Sequence, residues 1–359
     1  MFSNPSPDLG RHRNQPVRQF AWAPLFALLS ASIAIAFSPA ANAATTLYEL
    51  DTMKSQYLRP KTVPYPKGNK YNQVRFELGR QLFFDTRLSG PGTMSCASCH
   101  NPDLAWGDGL PTGRGVAANR LDRRSPTLLN LAWAQLLFWD GRADTLEEQA
   151  VGPIQNPDEM AHTMPRLVET LQNNANYRTR FGKAYPNEPI SATTIGKALA
   201  TFERTIVSAQ APFDRWIAGD ESGIGDAAKR GFIAFNTKAH CAACHSGWRF
   251  TDDSFHDIGL KDNDIGRGSL VEGVEILRHA FKVPGLRYVS LRAPYMHNGA
   301  LSTLDAVVRH YNDGFQFRPS KSAEIRRLHL TDEEIADVVA FLETLTSADP
   351  KVTVPTRLN

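Results

Sequence analysis

All four cysteines of the chain lie in two copies of one short motif. The first copy is Cys96-Ala97-Ser98-Cys99-His100, and the second is Cys241-Ala242-Ala243-Cys244-His245. The spacing Cys-x-x-Cys-His is the attachment signature of c-type haem. In such a motif the two thiols form thioethers with the porphyrin vinyl groups, and the histidine binds the iron as its proximal ligand. The sequence therefore predicts two covalently bound haems c and a function in redox chemistry.

Other roles of paired cysteines agree less well with this spacing. A structural zinc site pairs two Cys-x-x-Cys units roughly 15–20 residues apart, whereas Cys99 and Cys241 belong to separate regions of the chain. Disulfide frameworks are typical of small secreted domains and not of a chain of 359 residues. A thioredoxin-like motif does not require a histidine after its second cysteine, and here that histidine occurs twice.

The first 43 residues have the pattern of a secretory signal peptide. Three arginines precede an apolar stretch over residues 21–37, and Ala41-Asn42-Ala43 then provides a small-x-small cleavage pattern. An uncleaved membrane anchor is the alternative, but the stretch is barely long enough to span a bilayer. We therefore expect cleavage after residue 43, localisation in the periplasm and no stable membrane insertion of the mature chain.

The charge and the length of the chain limit the classes of partner and of architecture. Loss of the three arginines and one aspartate of the signal segment lowers the formal net charge from +3 to about +1. This balance gives no reason to expect a nucleic-acid partner. The two haem motifs are roughly 145 residues apart, which favours one haem in each of two domains. We place these domains at 44–220 and 221–359, divided at a linker-like segment over 220–225.

Helical periodicity dominates the chain after the signal segment, and strand signals are sparse, so the predicted fold class is all-α with long loops. An amphipathic stretch over 72–84 places Val74, Leu78 and Leu82 on one face before the first motif. A similar stretch over 227–236 precedes the second motif, which is a weak internal repeat. Further expectations are an extended arm over 45–70, a turn-rich loop over 101–126, helices at 127–137, 144–150, 163–173 and 193–209, and capping boxes at Ser302/Asp305 and Thr331/Glu334.

Several longer motifs lie between and after the haem motifs. They are Phe138-Trp139-Asp140-Gly141-Arg142-Ala143-Asp144, Glu148-Gln149-Ala150, Gly152-Pro153-Ile154, Asn156-Pro157 with Glu159-Met160, and Ala293-Pro294-Tyr295-Met296-His297-Asn298-Gly299. With these motifs the chain resembles the bacterial dihaem cytochrome c peroxidase family, including its methylamine-utilisation (MauG) branch, over nearly the whole mature chain. The resemblance implies two cytochrome c-like haem domains and an oxidoreductase of cytochrome-c peroxidase type that reduces hydrogen peroxide to water.

The resemblance also implies roles for residues around the first haem. Cleavage of the peroxide O–O bond requires an open sixth position on the iron and a group that moves a proton between the two oxygens. Glu159 matches the family's proton shuttle, Gln149 the residue that orients peroxide, and Pro153 a residue close to the open face. Without the resemblance, Glu159 would be a solvated loop carboxylate and Gln149 a helix-surface amide. Residues 101–159 contain no His and no Met, so we expect a five-coordinate or water-bound iron at rest and activity without reductive activation.

The second haem departs from the usual peroxidase pattern. Fourteen residues after His297, where peroxidases have a methionine ligand, this chain has Tyr311, which matches the MauG-like branch. A phenolate is a hard anionic ligand, and it favours ferric and higher oxidation states of the iron. His310 is a rival ligand that helical geometry turns some 100° away from its neighbour. If Tyr311 is only a core residue, Met296 or His279 remains as the ligand.

Trp139 matches the tryptophan that lies between the haems of the family and carries charge by hopping, although an ordinary buried aromatic is the alternative. The leading hypothesis is therefore a periplasmic peroxidase in which high-valent charge is shared between two haems. Its electrons would come from a small periplasmic redox protein (a cytochrome c or a cupredoxin) or from a protein substrate. The alternative is a MauG-like oxidase that matures a protein-derived cofactor of the tryptophan tryptophylquinone type. The third hypothesis, a plain electron carrier, predicts two six-coordinate haems.

Calcium is the last expectation that the resemblance carries. Family members often bind Ca²⁺ between the domains through an Asn before a Ser-Pro-Thr-like segment and through carbonyls of a Thr-x-Pro segment. The corresponding positions here are Arg124, before Ser125-Pro126-Thr127, and Arg292, before Ala293-Pro294. Main-chain carbonyls remain at these places, but two cationic side chains repel a cation. Calcium is therefore an open alternative that the local charge disfavours.

Overall fold

The computed structural model describes residues 49–347 and 352–356, which belong to one compact unit. The predicted all-α class with long loops is confirmed. The α-helices are Gln73–Phe83, Cys96–Cys99, Leu146–Gln149, Gly152–Gln155, Met164–Asn173, Ala175–Ala184, Ala192–Glu203, Pro212–Ile217, Asp226–Asn236, Leu304–Arg309 and Asp332–Glu343, with a further helical stretch at 49–55 and a π-helical turn at His310–Gly314. Two short strands, Phe255–His256 and Phe281–Lys282, pair antiparallel.

The helix before the first haem motif crosses a later helix at a glycine. Helix Gln73–Phe83 packs against helix Ala192–Glu203 within the first hydrophobic cluster. A Cβ atom at Gly79 would lie 1.9 Å from the carbonyl oxygen of Ala198 and 2.9 Å from the Cβ of Phe202. Any larger side chain would push the two backbones apart, so the glycine permits the close crossing.

The second half of the chain repeats this crossing before the second haem motif. Helix Asp226–Asn236 packs against helix Asp332–Glu343 within the second hydrophobic cluster. A Cβ atom at Gly231 would lie 1.9 Å from the carbonyl oxygen of Asp337 and 2.9 Å from the Cβ of Phe341. The same contacts recur at the same distances, which gives the weak internal repeat of the sequence a structural basis.

The two hydrophobic clusters do not divide the chain at a single residue. Tyr57, in the segment predicted as an extended arm, is fully buried in the second cluster, where its ring stacks on Phe250 at 4.8 Å. Helix Pro212–Ile217 contributes the buried rings of Phe213 and Trp216 to the same cluster. By side-chain packing, both segments therefore join the second cluster, although they precede residue 220.

Local predictions agree with the structure where a helix packs on its own half. The helices expected at 163–173 and 227–236 are present, and Leu78 and Leu82 are fully buried. Val74 was expected on the same face but is 43% exposed, since it lies more than one turn before the crossing at Gly79. The helix expected at 193–209 ends at Glu203, and that expected at 144–150 covers only Leu146–Gln149.

Two other local predictions need correction, and one helix was not predicted. The helix expected at 127–137 is a loop with one 3₁₀ turn, Leu131–Trp133, because Asn130 has a left-handed backbone (φ 64°) that stops a helix. The helix expected to start at a Ser302/Asp305 box is instead capped by Thr303, whose hydroxyl accepts a hydrogen bond from the Ala306 N–H. Helix Ala175–Ala184 was not predicted, while the Thr331/Glu334 capping box is present.

Candidate dihaem site

The first haem motif forms a single helical turn that points its histidine into a cavity. Cys96–Cys99 is helical, and the N–H of His100 closes the turn on the Cys96 carbonyl at 2.9 Å. Its ring Nδ1 lies 3.2 Å from the carbonyl oxygen of Trp106. A histidine that donates through Nδ1 presents an unprotonated Nε2, which is the form that binds a metal. Burial lowers the pKa of His100, which also favours the neutral ring.

The second motif has the same construction. Cys241–Ala243 forms a 3₁₀ turn, and the N–H of His245 donates to the Cys241 carbonyl at 2.9 Å. Nδ1 of His245 lies 2.8 Å from the carbonyl oxygen of Phe250, and burial lowers the pKa of this ring as well. Both histidines are thus oriented through Nδ1 by a backbone carbonyl five or six residues further along the chain.

The four thiols are free, and burial raises the pKa of each, to about 11 for Cys99 and Cys244. Protonated thiols are poor ligands for zinc, which binds thiolate. Among the described residues no group of three or more His, Cys, Asp or Glu side chains could hold a metal ion. The cysteines therefore suit thioether attachment better than metal binding.

One cavity of about 1170 Å³ connects the two motifs, and it is lined by the six motif residues and by the five residues to which the resemblance gives roles. Its volume exceeds the range of roughly 300–1,000 Å³ that is usual for a site holding one small ligand. The lining residues from the motifs are Cys96, Cys99, His100, Cys241, Cys244 and His245, and the others are Trp139, Gln149, Pro153, Glu159 and Tyr311.

The wall nearest the predicted open face is built from two short helices and the loop that follows them. Gln149 ends helix Leu146–Gln149, and Pro153 lies in the first turn of the next helix. The Glu159 carboxylate accepts a 2.8 Å hydrogen bond from the Asn156 amide, and burial raises its pKa. A smaller cavity of about 260 Å³ shares Pro153, Asn156 and Glu159 with the main one.

The turn-rich loop after the first motif contacts the backbone of the segment that carries Glu159. A Cβ atom at Gly115 would lie 1.7 Å from the carbonyl oxygen of Asp158, and the N–H of Val116 donates to the Glu159 carbonyl at 2.8 Å. Only a glycine allows so close a backbone approach, which fixes the position of Glu159. The sequence predicts only a turn-rich loop over 101–126 and gives no signal for this supporting contact.

Among the described residues around the first motif, two methionine thioethers also line the cavity. They belong to Met94 and Met160. Met160 directly follows the segment in which the sequence shows no His and no Met. It is buried in the first hydrophobic cluster, and its N–H donates to the Pro153 carbonyl at 3.2 Å. The predicted open position on the first iron therefore requires that this side chain stay in the apolar cluster.

The opposite end of the cavity holds Tyr311 in an unusual backbone. Helix Leu304–Arg309 widens into a π-helical turn over His310–Gly314, a form that often occurs at functional sites. Tyr311 lines the cavity, and burial raises the pKa of its hydroxyl, with a further increase from the nearby Cys241 and Cys244.

The rival ligands for the second iron differ in position. His310 does not line the cavity, and its Nε2 lies 3.0 Å from the Ile258 carbonyl. His279 does not line it either, and its Nδ1 lies 2.8 Å from the Asp264 carbonyl. Met296 does line the cavity. Of the four side chains predicted as possible ligands, Tyr311 and Met296 thus line the cavity, and His310 and His279 do not.

Trp139 lies in the cavity wall on a rigid turn. Its Nε1 donates to the carbonyl oxygen of Arg124 at 2.8 Å, and its own carbonyl accepts from the Lys282 N–H at 2.8 Å. The ring stands edge-on to His297, with centroids 6.4 Å apart. Gly141 has a φ of +73°, and a Cβ there would meet the Phe255 ring at 2.3 Å, so the turn after Trp139 requires glycine.

Comparisons with known proteins identify this arrangement. A family model described as di-haem cytochrome c peroxidase matches residues 73–222, and one described as cytochrome c matches residues 228–346. The chain is 50% identical to the methylamine utilization protein MauG of Methylorubrum extorquens, with 88% of this chain and 90% of that protein covered. It is 34% identical to the cytochrome c551 peroxidase of Pseudomonas aeruginosa, with 87% of this chain and 91% of that protein covered.

The chain belongs to the dihaem cytochrome c peroxidase family, in its MauG-like branch. Among solved structures, a MauG-like protein associated with microbial copper homeostasis matches with a TM-score of 0.74 at 32% identity, covering 80% of this chain and 94% of that one. The diheme peroxidase BthA of Burkholderia thailandensis shares the fold, with a TM-score of 0.68 at 24% identity, covering 78% of this chain and 87% of that one. The predictions of family, fold class and oxidoreductase activity are thus confirmed.

The residues present in this MauG-like chain fit two haems c. Both motifs offer free thiols and a neutral, oriented imidazole to one cavity, and that cavity is large enough to extend between them. No helix of the described residues is both long and apolar enough to cross a membrane. The predicted signal peptide lies outside the described residues.

Proposed function

We propose that this MauG-like protein is a periplasmic oxidase that uses hydrogen peroxide to mature a protein-derived cofactor in a protein substrate. The cofactor would be of the tryptophan tryptophylquinone type. The observation that carries the proposal is the 50% identity to a methylamine utilization protein over 88% of the chain, against 34% to a cytochrome c551 peroxidase. Tyr311 in the cavity wall supports the same branch.

Two haems c would be held through the Cys96/Cys99 and Cys241/Cys244 thiols and by His100 and His245, and Tyr311 would be a further residue that holds the second haem. When bound, they supply activation of peroxide and storage of oxidising equivalents. Each peroxide takes up two electrons and two protons and leaves as two waters, while the protein substrate gives up the two electrons and releases two protons.

The cavity wall nearest the predicted open face provides the proton transfer that the reduction of peroxide needs. Glu159 accepts the proton of the bound peroxide oxygen at a carboxylate oxygen and returns it to the outer oxygen, which leaves as water. The Asn156 amide fixes that carboxylate through its 2.8 Å hydrogen bond. Gln149 orients the peroxide, and Pro153 limits the space at the open face. We assign the adjoining cavity of about 260 Å³, which shares Glu159, as the route for peroxide and water.

Trp139 links the two ends of the cavity. It lines the cavity that both motifs share, and it is hydrogen-bonded to Arg124 in the first half of the chain and to Lys282 in the second. We assign it the transfer of one oxidising equivalent between the haems. The protein substrate then loses its electrons at a distance, without entering the cavity. This long-range step is compatible with a substrate as large as a protein.

A second candidate function is peroxide removal with electrons from a cytochrome c or a cupredoxin. The Gln149/Glu159 pair and the 34% identity to a cytochrome c551 peroxidase favour it. Tyr311 opposes it, because a hard anionic ligand makes the second haem a poor acceptor of electrons from a high-potential carrier. A plain electron carrier agrees least well, since a carrier has no need of a proton shuttle.

The deciding experiment supplies the two-haem protein with peroxide and one of two electron sources. One is a methylamine dehydrogenase precursor with unmodified tryptophans, and the other is reduced cytochrome c. We expect quinone absorbance to appear at a fixed ratio of peroxide consumed, with cytochrome c oxidised at least about tenfold more slowly, a difference of about 1.4 kcal/mol. Fast oxidation of cytochrome c without quinone formation would establish the peroxidase function instead.

A further inference from the structure

The buried and half-buried arginines of the described residues fall into two groups. Most of them form close ion pairs with carboxylates: Arg123 with Asp264, Arg204 with Glu147, Arg287 with Asp214 and Arg318 with Asp257. Of the buried and half-buried arginines that line the main cavity, Arg123, Arg249 and Arg287 are paired, whereas Arg124 and Arg292 form no ion pair with any carboxylate among the described residues. A buried cation without an anionic partner is unfavourable. The two guanidinium groups therefore need an anionic partner, and the described residues do not provide one.

The two guanidinium groups are close neighbours. Arg124 Nη2 reaches the carbonyl of Ala293, the residue after Arg292, at 3.4 Å, and Arg292 Nη2 donates to the Gly285 carbonyl at 2.6 Å. The Nε of Arg292 is buried with no hydrogen-bond partner. Burial and the positive charge of Arg124 together lower the pKa of Arg292 to about 10. Burial lowers the pKa of Arg124, and the negative charge of Asp108, which accepts a hydrogen bond from the Ser125 hydroxyl, counteracts this only in part.

This pair sits beside the residues that connect the two ends of the cavity. The Arg124 carbonyl accepts the Trp139 indole hydrogen bond, and the Arg124 N–H donates to the His297 carbonyl at 2.7 Å. The backbone of Arg124 therefore holds Trp139, while its side chain faces the cavity. A charged group bound at the arginines would lie close to the path between the haems.

We propose that Arg124 and Arg292 form a carboxylate-binding site that takes propionate groups of the attached haems, at the place where other family members hold calcium. The inference rests on the haem attachment in the proposed function. The propionates are the anionic groups that haem carries, and a guanidinium binds a carboxylate through two parallel N–H donors. A divalent cation does not fit here, since two fixed positive charges already occupy the site.

The site has an electrostatic consequence for the haems. A fixed positive charge next to a propionate stabilises the reduced, more negative state of that haem and so raises its midpoint potential. Loss of Arg292 should therefore lower the potential. Replacement by lysine keeps the charge but loses the two-pronged geometry, so it should preserve most of the potential.

The test compares Arg292→Gln, Arg292→Lys and the exposed control Arg166→Gln in the two-haem protein, with haem content measured separately. We expect two haems per chain in each, and for Arg292→Gln an oxidised-to-reduced ratio about tenfold higher at a fixed potential, which is about 59 mV for one electron. The midpoint potential should change little in Arg292→Lys and not at all in Arg166→Gln. Unchanged potentials in Arg292→Gln, with both haems present, would overturn the proposal.

Two further arms separate the haem carboxylates from other ligands. Titration of calcium chloride into the EGTA-treated protein should give no binding heat at micromolar affinity, and such binding would overturn the proposal. Midpoint potentials should not depend on chloride or phosphate concentration at constant ionic strength, and a dependence would identify a free anion instead. Fewer than two haems in the unaltered protein would contradict the haem assignment itself and leave the arginine pair without this ligand.

Discussion

The indole N–H of Trp139 donates a 2.8 Å hydrogen bond to the main-chain carbonyl of Arg124. The residue proposed to transfer charge between the haems is thus held by a residue of the proposed carboxylate-binding site. The carbonyl of the same tryptophan accepts a hydrogen bond from Lys282, in the second half of the chain. Trp139 is thus held from both sides of the cavity. Changes at this residue should alter communication between the haems before they alter either haem alone.

Trp139→Phe removes the indole and its hydrogen bond but keeps an aromatic ring. We expect peroxide still to react at the first haem, while oxidation of the protein substrate slows by at least about tenfold, or about 1.4 kcal/mol in the barrier. Stopped-flow spectra and quinone formation measure the two steps separately. Trp133→Phe is the matched control, because Trp133 packs edge-on against Trp248 and does not line the cavity. Equal losses in the two variants would contradict the transfer role.

Glu159→Gln should slow peroxide consumption by about 10²–10⁴-fold, the usual contribution of a positioned proton-transfer group. Both haem spectra should remain intact, because Glu159 is not a predicted iron ligand. The neighbouring exposed residue gives the control Asp158→Asn, which should change the rate little. A Glu159→Gln enzyme that consumes peroxide at the original rate would exclude this carboxylate as the shuttle.

The pH dependence of the same step follows from the burial of Glu159. Burial raises the pKa of this carboxyl, and the ionised form is the one that accepts the peroxide proton. The rate should therefore fall on acidification, starting at a higher pH than an exposed glutamate would give. Asn156→Ala removes a hydrogen bond that lowers this pKa, so the fall should begin at a still higher pH. Rate profiles between pH 4 and 8 would show both effects.

The first iron should be high-spin at rest and the second low-spin, which electron paramagnetic resonance of the oxidised protein measures. The reason is that no imidazole or thioether is expected to bind opposite His100. Met160→Leu tests the thioether that lines the cavity nearby, and the high-spin signal should be the same with and without it. Two low-spin signals that become one in Met160→Leu would show that Met160 closes the site.

Tyr311→Met should raise the midpoint potential of the second haem, since a thioether favours ferrous iron where a phenolate favours ferric iron. Spectroelectrochemical titration measures the change. His310→Gln is the control, because His310 points to the Ile258 carbonyl and not into the cavity. A potential that responds to His310→Gln and not to Tyr311→Met would reverse the assignment.

Asp214→Asn should destabilise the protein by about 3–5 kcal/mol, the usual cost of breaking a buried ion pair. Asp214 accepts two hydrogen bonds from Arg287, at 2.8 and 2.9 Å, and both side chains are almost fully buried. Urea unfolding followed by circular dichroism gives the free energy of unfolding. The exposed Asp220→Asn is the control, and a similar loss in both variants would argue against the importance of the ion pair.

The sequence predicts the chemical part of this protein better than its backbone path. Chemistry at the Cys-x-x-Cys-His motifs depends on short spacings, so their helical turns follow from local rules, whereas the tertiary fold brings the two motifs to one cavity. Trp139, Gln149, Glu159 and Tyr311 were singled out by resemblance, and the structure brings them to the same cavity. Their roles remain predictions.

What the sequence could not predict depends on contacts between distant segments. The helix expected at 127–137 is lost because Asn130 turns left-handed and binds residues 206 and 208 through its backbone and side chain. The burial of Tyr57 in the second cluster, more than 150 residues before its partners Phe213 and Phe232, has no local signal. The widening of the helix into a π-turn at Tyr311 is likewise set by its surroundings and not by its composition.

The matching contacts at Gly79 and Gly231 mean that each haem motif follows a helix that crosses a later helix in the same way. Both halves would therefore carry their porphyrin on the same kind of helix pair. We therefore expect the features that make the two irons unequal to lie in the segments outside these crossings, since the contacts at the two glycines are the same. Redox specialisation in this chain is accordingly separable from its architecture, and loop exchange between the halves is a direct route to re-engineering it.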